Sequence, residues 1–211
     1  MTERRTPAQV WNEMVRGNDR FVAGEPQHPR QDVERRQELA LAQTPHAALF
    51  GCSDSRLAAE IIFDKGIGDL FVVRNAGQVI SDSVLGSLEY AVGVLDVPLI
   101  LVLGHDSCGA VHAAIAAEGK DAPTLPPHIA GLISKITPAV QRVVKANGVS
   151  DPTEVDDQEV GREHLRDTIA ELIGSSELIS DAIAAGTLAV VGANYRLLEG
   201  RAVPDVVVGI V

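Results

Sequence analysis

The chain has 211 residues, and 29 acidic against 18 basic side chains leave it a formal net charge of −11. That field repels phosphate backbones, and with no local basic patch legible in the sequence it argues against nucleic acid as a partner. The longest apolar run, VPLILVL at 97–103, falls well short of the ~20 residues that cross a bilayer, so no membrane partner is expected.

The opening MTERRTPAQVWNEM lacks the apolar stretch of a secretory signal and predicts a cytoplasmic protein. In that reducing setting Cys52 and Cys108 serve a metal or catalysis sooner than a disulfide. The first forty residues read as helix, opened by Thr6 and Pro7, with Val10, Trp11, Met14, Val15, Phe21 and Val22 on one face. Such an arm, 1–45, has no evident home on a compact α/β unit and is expected to pack on a partner subunit.

From residue 47 short apolar runs alternate with helical patterns. AALFG (47–51), LFVVR (70–74), PLILVLG (98–104) and TLAVVG (187–192) are apolar on both faces, the mark of buried parallel strands. Helices are predicted over 81–95, 108–117, 128–146 and 158–185, the last broken near 174–176. GKDAPTLPPH and NGVSDPTEVDD read as loops. The tail YRLLEGRAVPDVVVGIV reads as a hairpin on the sheet edge. The predicted fold is α/β: a single domain over 1–211, with a central, mostly parallel sheet flanked by helices (core 46–211), an N-terminal helical arm and a C-terminal edge hairpin.

Cys52 follows the first predicted strand and His105 the third, so both stand at carboxyl ends of parallel strands, where such sheets bind their ligands. Cys108 opens a predicted helix, whose dipole favours the thiolate. Any one of these residues alone would more often be a buried packing residue. Two thiols and an imidazole converging from two strand ends instead suit zinc, which takes three protein ligands and keeps a fourth position open when catalytic. In CSDSR, Asp54 and Arg56 lie close enough to Cys52 to reach that open position and each other.

CSDSRLAA from Cys52 and EYAVGVLDVPLILVLGHDSCG from Glu89 resemble the two signature stretches of beta-class carbonic anhydrases of the bacterial type, and the similarity runs over nearly the whole chain. The resemblance implies reversible hydration of carbon dioxide to bicarbonate and a proton by attack of zinc-held hydroxide, with one zinc per chain on Cys52, His105 and Cys108. It implies Asp54 and Arg56 as the catalytic dyad, with Asp54 able to become a fourth ligand in a closed state. Gln43, nine positions before Cys52, matches a residue that holds a substrate oxygen; Phe71 and Tyr90 match aromatic pocket positions, and Ala76 in RNAG a small apolar one. A homodimer or homotetramer is implied as well.

Two other readings use the same residues: a noncatalytic zinc module with Asp54 as permanent fourth ligand, and a related hydrolase acting on a linear substrate such as carbon disulfide. His112, four residues after Cys108, is read as a packing or surface residue. No proton shuttle is assigned among His28, His46, His128 and His164.

Overall fold

The structure, a computed structural model, describes residues 5–211; the first residues of the expected arm, 1–4, lie outside the described residues. Strands β1 Ala47–Cys52, β2 Leu70–Asn75, β3 Leu99–His105, β4 Ala189–Arg196 and β5 Arg201–Val208 form one sheet in the order β2-β1-β3-β4-β5. The first four are parallel, and β5 returns antiparallel to β4. The helices are α1 Pro7–Ala23, α2 Val33–Glu38, α3 Ala59–Ile62, α4 Asp82–Gly93, α5 Gly109–Ala117, α6 Pro127–Ile133, α7 Thr137–Asn147, α8 Asp157–Ser175 and α9 Glu177–Ala184. The chain is a single α/β domain, and no described helix is long and apolar enough to cross a membrane.

Every residue of β1 and β3 is buried, which explains why their sequences show no polar alternation. Alternate side chains feed two cores. Leu49, Leu99, Leu101 and Leu103 pack with Met14, Phe63, Val111 and Val140 on one face. Phe50, Ile100 and Val102 pack with Leu88, Leu165, Ile169 and Ile179 on the other. Each such fully buried side chain contributes about 1.5–3 kcal/mol relative to exposure, so the two central strands are locked between two helical layers.

The N-terminal arm departs from expectation in two ways. It is not one helix: α1 ends at Gly24, whose φ is 73°, and Pro26 and Pro29 keep the following segment out of the helical region until the short, wholly surface helix α2. Nor does its apolar face lack a home. Val10 and Met14 are buried in the chain's own core, with Trp11 and Phe21 packed against it. The reason lies at the other end of the sequence, where β5 widens the sheet and, with α3, makes a bed for α1. Asn18 fastens the three together, donating to the carbonyls of Ile62 (3.1 Å) and Gly200 (2.8 Å) and accepting from the Ala202 N–H (2.9 Å). Arg20 adds an ion pair at 2.6 Å to the buried Asp64. The expected helix over 128–146 is likewise two, α6 and α7, because Pro138 closes one and starts the next.

Gly17 sits where α1 crosses α3, and a Cβ there would lie 1.9 Å from the Phe63 carbonyl oxygen. In an open helix Gly→Ala gains about 1 kcal/mol; here the sign reverses. Gly17→Ala is expected to destabilise the protein by about 1–3 kcal/mol, the range of overpacked cores, in urea unfolding. A midpoint unchanged or raised would mean that α1 does not dock on α3.

Candidate metal centre

The site grows from the sheet register. β1 and β3 pair in parallel, with Gly51 beside Leu103, so their last residues, Cys52 and His105, emerge together at the carboxyl end of the sheet. The chain then turns through Asp106 and Ser107, the latter in the left-handed region at φ 49°, and Cys108 becomes the N-cap of α5. The backbone N–H groups of Ala110 and Val111 at the start of that helix point at its sulfur.

The ligand atoms of Cys52, His105 and Cys108 lie within 4.8 Å of one another and all three residues are buried. Bond lengths of about 2.0–2.3 Å to a tetrahedral ion imply edges near 3.3–3.8 Å, which three such atoms can meet with little movement. His105 gives the sharpest sign that a cation belongs there. Its Nδ1 lies 2.8 Å from the Asp106 carbonyl oxygen, which can only accept, so Nδ1 carries the proton and Nε2 offers a lone pair. That Nε2 is buried and has no hydrogen-bond partner. A carbonyl on the far nitrogen is the usual way a metal-bound histidine is oriented.

The thiols share a proton. Cys52 is held well below the ordinary thiol range, first by the hydrogen bond from Cys108 and then by the backbone N–H groups of Gly77 and Asp54, against the opposing effect of burial. The same bond, with burial, keeps the proton on Cys108. A divalent ion would take the proton's place between the two sulfurs.

Asp54 and Arg56 form a fork beside the cluster. Arg56 Nε donates to Asp54 Oδ1 at 2.9 Å and Nη2 to Oδ2 at 2.7 Å, while the Arg56 backbone N–H also donates to Oδ1 at 2.9 Å. Arg56 Nη2 reaches the Ser107 carbonyl at 3.2 Å as well, tying the CSDSR loop to the HDSC turn. The guanidinium holds the Asp54 carboxyl below the usual carboxylate range. Asp54 stands with Arg56 and not among the three clustered ligand atoms.

Residues that sequence reasoning passed over complete the frame. Arg74 donates to the carbonyls of Cys52 (2.9 Å) and Asp54 (2.6 Å), and the Asn75 side chain closes the turn after β2 on Val79. Gly77 donates its N–H to Cys52 Sγ at 3.4 Å. All three lie in the run RNAGQV, read in sequence only for Ala76, which stands in this turn beside Gly77. Gly77 contributes through a backbone N–H, which leaves little trace in residue type, and the Arg74 and Asn75 side chains bond to backbone groups that no sequence pattern marks.

The remaining pocket candidates are not gathered at the metal within one chain. Phe71 pairs with Ala48 while Asn75 pairs with Cys52, which puts Phe71 about 13 Å back along the strand. Tyr90 stacks near it, with ring centroids 6.1 Å apart. Gln43 is exposed and precedes the amino end of β1, opposite the end that Cys52 closes. His112 sits at the surface, its Nε2 2.7 Å from Asp157 Oδ2.

Known proteins resemble this chain throughout. The family model described as carbonic anhydrase matches residues 47–202. Carbonic anhydrase 2 of Mycobacterium tuberculosis is 52% identical over 198 residues, which cover 93% of this chain and 92% of that protein. The carbonic anhydrase of Mycolicibacterium smegmatis is 50% identical over 196 residues, 92% of this chain and 91% of its own. In fold, a structure described under two tetrameric beta-carbonic anhydrases of Sordaria macrospora matches with a TM-score of 0.69 at 22% identity, over 92% of this chain and 96% of the other.

Metal-stripped protein is expected to take up one divalent ion per chain with release of protons, and Cys108→Ser to weaken that binding by at least about 100-fold. Calorimetric titration at two pH values checks both. Wild-type affinity in Cys108→Ser would show that the three atoms are not a ligand set.

Proposed function

Because the chain belongs to the beta-carbonic anhydrase family and so hydrates carbon dioxide reversibly to bicarbonate and a proton, we propose that zinc is the ion held by Cys52, His105 and Cys108, and that Asp54 and Arg56 manage the reacting proton. The observation that carries this reading is the buried, unpartnered Nε2 of His105 facing two thiols, a soft donor set that suits zinc. Zinc in this place supplies Lewis acidity that makes hydroxide available near neutral pH. Both thiols must stay reduced to serve, which fits the cytoplasmic setting read from the sequence.

The chain's own residues do the rest. Asp54, ionised and held by Arg56, accepts a hydrogen from the nucleophile and leaves its lone pair turned toward carbon dioxide. Arg56 fixes both carboxylate oxygens, so Asp54 is kept off the fourth coordination position. That arrangement disfavours a purely structural four-ligand site, which would need Asp54 free to turn inward. Because Arg56 lowers the Asp54 pKa, the ionised form persists to pH values below the usual carboxylate range. Asp54 therefore adds no titration between about pH 5 and 9, and the rise of hydration with pH reflects hydroxide supply alone.

The reading extends to a homodimer or homotetramer. Phe71 and Tyr90 stand at the amino end of the sheet edge formed by β2, whose outer side has no strand partner among the described residues. A two-fold contact across that edge runs the two β2 strands antiparallel, and sets the amino end of one copy against the carboxyl end of the other. Phe71 and Tyr90, with Gln43, then line the neighbour's carbon dioxide pocket beside its Ala76. The Sordaria relatives described as tetrameric support such assembly.

Arg56→Ala is expected to lower carbon dioxide hydration by about 10²–10⁴-fold, the range of a positioned proton-transfer group, while zinc content measured by elemental analysis stays at one per chain. Unchanged turnover in stopped-flow assays would take the dyad out of the mechanism. Sedimentation should find a dimer or larger species, and a fully active monomer would refute the shared pocket.

A further inference from the structure

His164 lies on α8, far from the metal ligands in sequence, yet it reaches the centre through one residue. It is buried, 3% exposed, and its Nε2 lies 2.7 Å from the Gly77 carbonyl oxygen. A carbonyl only accepts, so Nε2 carries the proton. Burial pushes the imidazole's pKa down, and Nδ1 is buried without a partner. The ring is thus a fixed, neutral donor with one polar task.

That task bears on Cys52. Gly77 is gripped by His164 at its carbonyl and donates its own N–H to Cys52 Sγ at 3.4 Å. The turn needs such a grip. Gly77 is left-handed at φ 78°, with space for no side chain, since a Cβ would meet Ala110 at 2.9 Å and Ile136 at 3.0 Å. Gln78 follows, also left-handed at φ 42°, a conformation that costs a non-glycine residue free energy and persists only where neighbours impose it. One turn further along α8, the Thr168 hydroxyl donates to the His164 carbonyl at 2.8 Å and lies 3.4 Å from that of Gln78. The side chain of His164 therefore holds the carbonyl of the residue that supplies the N–H to sulfur.

We propose that His164 is a positioning residue of the metal centre: by holding Gly77 it aims the Gly77 N–H at Cys52 Sγ and thereby sets how much electron density that thiolate gives to the bound ion. Hydrogen bonds to a ligating sulfur withdraw charge from it, and outer-shell partners of this kind tune affinity and electronic properties. The inference rests on the reading that Cys52 binds the ion.

Cobalt(II) in place of the native metal reports sulfur donation directly through its thiolate-to-metal charge-transfer absorption. His164→Leu, similar in bulk but without a donor, is expected to shift that band to lower energy and weaken zinc binding about 10- to 100-fold. His164→Gln, whose amide can still donate to the Gly77 carbonyl, should restore most of both. A role limited to packing would move neither spectrum nor affinity in a folded protein, so an unshifted band in folded His164→Leu overturns the proposal. Should that variant not fold, His164→Phe, which keeps an aromatic ring without a donor, is expected to shift the band in the same direction, and an unshifted band there overturns it. A wild-type cobalt spectrum with no thiolate band would overturn the metal reading of Cys52 itself and this inference with it, an outcome distinct from a normal wild-type band that ignores His164.

Discussion

The parallel pairing of β1 with β3 is the constraint on which the centre depends. It brings Cys52 and His105 out together at one end of the sheet, although more than fifty positions separate them in sequence. A slip of one residue would displace one ligand by about 3.3 Å and turn its side chain to the other face of the sheet. Register is secured by burial on both faces, where Leu49 and Leu101 enter one core and Phe50 and Ile100 the other. The apolar runs that look featureless in sequence therefore set the geometry of the chemistry, since a fully buried strand cannot change register without exposing half of its side chains.

Around those strand ends, charge is arranged so that each group keeps the ionisation its work requires. Asp54 is kept anionic by two hydrogen bonds from one guanidinium, an arrangement that fixes direction as well as charge, which a lysine could not do. Arg74 is placed differently, on the carbonyls of Cys52 and Asp54, so it holds the loop without competing for the carboxylate. Cys52 and Cys108 restrain each other through one shared proton. Of these effects the contacts within about 3 Å dominate, because the protein's net charge acts from a distance and is screened over roughly 10 Å in ordinary salt.

What the sequence disclosed follows from where the information lies. Cys52, His105, Cys108, Asp54 and Arg56 come together through side chains of distinctive chemistry, so their types and spacing were legible, as were the apolar runs of β1 to β4. The bed of α1 was not, because β5, on which it rests, comes from the far end of the chain and its pairing is a tertiary fact. The breaks at Pro26, Pro29 and Pro138 were legible in principle from proline's fixed φ and missing N–H, although the helical reading ran across them. Phe71, Tyr90 and Gln43 were marked by resemblance alone; no periodicity says that they stand at the opposite end of β2 and β1 from the ligands. Gly77 and His164 were the least visible, for one contributes an amide that every residue but proline possesses and the other only grips that residue's carbonyl.

Burial also bears on how the three ligand-type residues come together. In small zinc modules the ion supplies most of the folding free energy and the apo chain is unfolded. Here Phe50, Leu88, Leu101 and Leu165 are buried by apolar neighbours, and Cys52 and Cys108 join one of the two cores at the carboxyl rim of the sheet. The left-handed backbone at Gln78 and Ser107 costs about 1–2 kcal/mol per residue, a sum small beside the burial that surrounds it. The helical layers are sufficient to impose that strain, and the fold itself brings the three ligand-type residues together. Asp54 stays outside that group, because both of its carboxylate oxygens are held by Arg56.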